Sequence, residues 1–144
     1  MKSEQNASIF SFASADGVFA NEKAGHLFFK IPVLPSGSES WHMSELVSKR
    51  IEPLEIPWPV NESYDLLIGI PDGYSMISAP QTMKMENEFG NIKISITSDG
   101  KKLHIVKAIN LVKTYVPAEK YTTFKIMMDA WNNNKYREVV LKKN

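Results

Sequence analysis

Acid–base or nucleophilic chemistry in this chain would fall first to His26, His42 and His104, because imidazole is the side chain that titrates near neutral pH. A serine triad needs one of them held between a hydroxyl and a carboxylate. The sequence has no Gly-x-Ser-x-Gly elbow to present such a serine. His104 falls between Leu103 and Ile105, so on an alternating strand it points away from their core and into water. None of the three histidines stands at ligand-like spacing from another histidine or a carboxylate, so no metal is expected. Asp72-Gly73 and Asp99-Gly100 are explained by turn chemistry rather than by calcium. Glu86 and Glu88 would share one face of a strand, roughly 7 Å apart. Paired carboxylates can act as acid and base, but a solvated strand face explains this pair more simply. The absence of cysteine removes disulfides, thiolate metal sites and cysteine nucleophiles. No glycine pair between a strand and a helix offers a phosphate loop. The expectation is therefore a domain without catalytic residues, metal or cofactor, and not an enzyme by itself.

Binding is the chemistry that the aromatic residues leave open. Trp131 closes an apolar helical stripe and belongs to a core. Trp58 lies between Pro57 and Pro59, where a stiff backbone would either present it to a sugar ring or peptide or let it cap the core edge. Trp41 stands next to His42 in a segment without clear patterning. Trp41, His42 and Trp58 are the candidate ligand-binding residues.

The elements that would carry these residues are mostly strands. Residues 7–13, ASIFSFA, read as a short apolar strand, with a turn at Asp16-Gly17. Residues 25–31, GHLFFKI, are a second, and prolines 32 and 35 then break any ladder. Residues 35–50 are undecided between loop, strand and helix. The proline-rich PLEIPWP, residues 53–59, reads as an extended crossing or edge strand joining two halves. Strands follow at 64–70 and 74–79, separated by Pro71-Asp72-Gly73. Met83, Met85 and Phe89 alternate with charged residues, as do Ile92, Ile94 and Ile96 with polar ones. Gly90-Asn91 and Asp99-Gly100 are read as the hairpin turns between them. A long strand runs from Leu103 to Tyr115. Lys107 falls on its apolar side, which predicts a bulge or strand end nearby. Pro117 suits the start of a helix whose face is Tyr121, Phe124, Met127, Met128 and Trp131. Asn132-Asn133-Asn134 ends it before a last strand at 136–142.

Repeated alternation with hairpin signals implies antiparallel sheets, each with one wet face, that bury their apolar faces together. The fold expected is mainly β, an antiparallel β-sandwich of immunoglobulin- or fibronectin-like architecture, with one short helix before the last strand. At 144 residues the chain fits one domain, 1–144, with residues 1–24 readable as an extension from an upstream neighbour. Strand-like sequence at both ends suggests a piece of something longer. Seventeen basic and sixteen acidic residues leave a formal charge of +1, without the basic excess that nucleic acid calls for. Apolar runs such as residues 66–70 fall far below the ~20 residues that span a bilayer, so no membrane insertion is expected. The start, MKSEQNASIFSF, lacks the apolar stretch of a signal peptide.

Two stretches together carry a family resemblance. They are KRIEPLEIPWPV (49–60) running into YDLLIGIPDGYSMISAP (64–80), and the ending PAEKYTTF (117–124) before YREVVLKK (136–143). From about Gly25 onward the chain resembles the C-terminal β-domain, of unknown function, of large bacterial proteins with a transglutaminase-like middle domain. The family's Arg-x-x-Pro step matches Arg50-Ile51-Glu52-Pro53, and its Gly-Tyr turn matches Ile70-Pro71-Asp72-Gly73-Tyr74. The resemblance implies an exported, periplasmic parent whose cysteine-containing site lies in another domain, so it transfers no site residue. It implies a non-catalytic accessory role: packing on neighbouring domains of the parent chain, or positioning a substrate or partner. A peptide- or glycan-binding module is the alternative.

Overall fold

The computed structural model describes residues 20–33, 38 and 46–144. The expected strand at 7–13, the turn at Asp16-Gly17, and Trp41 and His42 lie outside the described residues.

Ten strands and one α-helix are the main elements of the described chain, with short 3-10 turns on either side of the helix. They are β1 (Ala20–Lys23), β2 (His26–Lys30), β3 (Leu54–Glu55), β4 (Val60–Gly69), β5 (Tyr74–Met76), β6 (Gln81–Asn87), β7 (Gly90–Ser98), β8 (Lys102–Leu111), β9 (Tyr115–Val116), α1 (Tyr121–Trp131) and β10 (Glu138–Lys143). A large sheet has the order β4-β8-β7-β6, a small one β1-β2-β10-β5, and β3 pairs with β9 in a two-stranded ribbon. Every pairing is antiparallel. The described chain is thus mainly β, with a single α-helix ahead of its last strand, as the sequence pattern predicts.

One core joins the layers in a sandwich-like arrangement. The large sheet gives it Ile92, Ile94 and Ile96 from β7 and Leu103, Ile105, Ile109 and Leu111 from β8. The small sheet adds Val139 and Leu141, with Leu27 and Phe29 partly buried against them. All five residues of the predicted helical stripe are buried, and the Phe124 ring meets Phe89 edge-on at 5.6 Å between centroids. Apolar side chains at three- and four-residue steps make one face of a helix, and burying that face is what holds so short a helix in place.

Three local expectations are corrected. Lys107 causes no bulge: β8 runs unbroken past it, with Tyr64 on one side and Ile94 on the other. The side chain is buried, and its ammonium sits 4.5 Å from the Trp131 ring centroid. The aliphatic stem packs like a hydrophobe while the charge meets the negative ring face. The predicted strand 103–115 instead ends at Leu111 and resumes as β9. Ile56 N–H donates to Thr114 O at 2.8 Å, whereas Val60 pairs with Leu111, so residues 57–59 lie opposite residues 112–113. One extra residue on the proline side makes a bulge there, because Pro57 and Pro59 have no N–H to continue the ladder. The third correction concerns the β6–β7 hairpin. Its turn is Glu88-Phe89, with Asn87 paired to Gly90, not Gly90-Asn91. Gly90 is already in β7 at φ +149°, and a Cβ there would lie 1.8 Å from the Asn110 carbonyl oxygen. Glycine is required by that close approach rather than by a turn.

Candidate functional site

The β6–β7 turn, the β8–β9 connection and the entry to α1 meet at one end of the large sheet. Between them lies an open groove of about 460 Å³, lined in part by Glu88, Val112, Lys113, Tyr115, Pro117 and Lys120. Phe89 closes it from the core side, and Val112 N–H donates to Phe89 O at 2.9 Å, tying the two walls together. Val112 and Tyr115 are more than half exposed.

Glu88 forms the electrostatic centre. Lys120 Nζ donates to its Oε1 at 2.8 Å and Lys113 Nζ to its Oε2 at 3.3 Å. The Lys120 hydrogen bond, then that of Lys113, holds the Glu88 carboxyl below its usual range, and Glu88 in turn raises Lys120. Lys113 Nζ also lies 5.7 Å from the Phe89 ring centroid. All three charged groups remain open to water, so their attraction is screened and contributes little to stability. Glu88 therefore does not share a strand with Glu86; it stands in the turn and is bound by cations. Lys113 and Lys120 are 25 and 32 residues away in sequence, beyond the reach of any spacing rule.

The other candidates lie apart. Trp58 is 55% exposed on the bulge between its prolines and does not line the groove. His26 Nδ1 is 3.0 Å from Ala24 O, a local bond across the β1–β2 turn. His104 faces solvent, as the alternation predicts, with Nε2 2.8 Å from Asp65 Oδ1. The pair gives His104 a carboxylate partner, but on an open sheet face, with side chains 51% and 76% exposed, where water competes for both. Among the described residues, no group of three His, Asp or Glu side chains could hold a metal ion. No described helix is long and apolar enough to cross a membrane.

A second polar cluster sits on the inward face of β4. The backbone N–H and hydroxyl of buried Ser38 both donate to the Glu62 carboxylate, and Tyr64 Oη donates to the same group at 3.1 Å. The cluster pins Ser38 to β4. A similar anchor joins the following stretch to α1, where Tyr121 Oη donates to Val47 O at 2.5 Å. Burial pushes the Tyr121 phenol above its ordinary range.

A family model described as a "Domain of Unknown Function with solved-structure structure" (DUF3858) matches residues 25–141. The chain belongs to the DUF3858 family. Its match begins where the sequence resemblance does, at Gly25, one residue before β2. No curated protein matches the chain. Among solved structures, a crystal structure described as a "putative protease" from Parabacteroides distasonis is similar, with 25% identity and a TM-score of 0.75. The match covers 83% of this chain and 24% of that one, so this chain spans about a quarter of the length of its structural neighbour.

Proposed function

We propose that this DUF3858 domain is a non-catalytic accessory module of a larger, exported, periplasmic protein with a transglutaminase-like domain. It packs on neighbouring domains of its own chain or positions a substrate or partner for them. The observation that carries this reading is the same fold recurring as 24% of a much longer chain. A module that forms one part of a longer protein is used through its contacts, and the exposed apolar residues of this one are available for them. The transglutaminase-like parent rests on the sequence motifs at 49–80 and 117–143. The test is to assay the isolated domain against protein and peptide substrates for hydrolysis and acyl transfer. No turnover is expected. An activity that disappears on a point mutation within the domain would overturn the reading.

The second reading is a glycan- or peptide-binding module using Trp58, with Trp41 and His42. It is favoured by the exposure of Trp58 in its proline frame. Acrylamide quenching of tryptophan fluorescence, with and without cell-wall glycans and peptides, tests it in single Trp→Phe variants. Protection of Trp58 by a ligand supports it, and unchanged quenching counts against it.

A further inference from the structure

We infer that the free edge of β4 receives an extended segment of the parent chain from outside this domain, which pairs with it as a fifth strand of the large sheet. The inference rests on the accessory reading and names the contact through which that role is exercised. The first argument is the backbone. Ile70 N–H donates to Lys101 O at 2.7 Å, in the register of the β4–β8 ladder. In an antiparallel pair the residues that bond a neighbour alternate with those that face away. The even-numbered residues of β4 therefore bond β8, and Asn61, Ser63, Asp65, Leu67 and Gly69 turn their N–H and C=O groups to the free edge. Those backbone groups have no partner among the described residues. The second argument is that nothing in the strand guards this edge. Natural edges are kept from pairing by short length, proline, lysine or bulges. The other edges fit that rule. β1 and β5 have four and three residues. β6 carries Lys84 on its outer side, and Asn87 Nδ2 ties its end to α1 by donating to Thr123 O at 3.2 Å. β4 has ten residues, without proline, lysine or a bulge, and its Leu67 is 64% exposed. The third argument is unfinished burial. Leu66 and Ile68 on the inward side of β4 are only partly buried, as are Tyr74 and Met76 of β5. Residues 70–73 carry the chain straight from β4 to β5, so the two edges flank one side of the sandwich. Inward apolar side chains of an added strand would cover both.

Charge and area choose the occupant. β4 holds Glu62 and Asp65 and no basic residue, so the β4 of a second copy would set like charges together. An edge about 33 Å long and about 10 Å deep offers roughly 330 Å², against about 800 Å² per partner in a stable complex. A segment of the same chain needs less, because tethering holds it at high effective concentration. In the similar crystal structure the module accounts for 24% of the chain, and the rest lies outside it. The fitting segment is extended, with apolar residues at alternate inward positions and basic or neutral ones outward across from Asp65.

The probe is the peptide acetyl-Lys-Val-Thr-Val-Lys-Val-Thr-amide, titrated into the 144-residue chain while solvent-exchange NMR follows the amides of β4. Ser63, Asp65 and Leu67 should exchange roughly fivefold more slowly when free peptide reaches about four times its Kd, with Tyr64 and Leu66, already bonded to β8, unchanged. N-methylated peptides separate strand pairing from apolar adhesion. Methylation at the central Thr and the second Lys, whose N–H groups would face β4, should weaken binding roughly tenfold, whereas methylation at two valines, whose N–H groups face away, should not. Leu67→Pro removes an edge donor and no bond to β8, and should abolish the protection. Lys84→Pro on the opposite edge of the sheet should keep it. Unchanged core amide shifts confirm that each variant folds, and the methylated peptides carry the test if Leu67→Pro does not. Equal binding of the two methylated peptides, protection around Trp58 instead, or no protection of β4 would each overturn the inference. So would protection of β4 that grows with protein concentration and needs no peptide, which would give the edge to a second copy. The accessory reading survives all of these outcomes, since it falls only to turnover by the isolated domain.

Discussion

The two four-stranded sheets share a core but are built differently. Strands of the large sheet are seven to ten residues long, and β8 is paired along its length on both sides. The inward isoleucines and leucines of its two central strands, β7 and β8, are almost completely buried. Strands of the small sheet are three to six residues long, and β2 is only partly buried along most of its length. Long ladders with a dry face resist opening, whereas short ladders with half-wet faces open at lower cost. The large sheet therefore carries most of the stability, and both a buried lysine and an open charged groove are tolerated because that frame holds them.

Matched truncations give the largest test of this contrast. Ile105→Ala in β8 should cost about 4 kcal/mol, since Ile105 is wholly buried and its cavity cannot relax between two paired strands. Leu27→Ala in β2, only partly buried, should cost about half as much. Urea unfolding of both variants decides; equal losses would break the comparison. Next in size is Gly90→Ala. Its Cβ would collide with the backbone of Asn110 and Leu111, and parting β7 from β8 there should cost about 3 kcal/mol. A variant as stable as the parent would show that the large sheet is less rigid than described.

A smaller effect of opposite sign is expected in the small sheet. Ala24 and Gly25 both adopt positive φ, 51° and 75°, in the two-residue turn joining β1 to β2. Alanine is strained there and asparagine is not, so Ala24→Asn should stabilise by about 1 kcal/mol, read as a raised Tm. The smallest effect belongs to the groove. Because the Glu88 pKa is lowered by its lysines, its contribution is present above the unfolded-state pKa and is lost as pH falls through the folded-state value. Lys120 is raised, so its share is present below its unfolded-state pKa and fades as pH rises through the folded value. Glu88→Gln should slightly flatten the acid side of the stability profile in low salt, and added salt should erase the difference.

What was legible in the sequence follows from local periodicity. The isoleucines of β7, the solvent-facing His104 and the buried stripe of α1 could be read directly, because strand and helix geometry alone sets which side chains share a face. Even hairpins could be misread by two residues, since Gly90 answers to a neighbouring backbone that its own sequence context does not name. Of the candidate binding residues only Trp58 falls within the described structure, and the groove at Glu88 was missed because its two lysines come from distant elements.

The sequence by itself determined the alternation, the helix face and the absence of thiol chemistry, all of them properties of neighbours along the chain. Only the tertiary structure decided that β10 inserts between β2 and β5, that Lys107 lies under Trp131, and that Lys113 and Lys120 close on Glu88. Those depend on which distant surfaces meet, and the burial that selects them is non-directional and leaves no periodic trace in the chain.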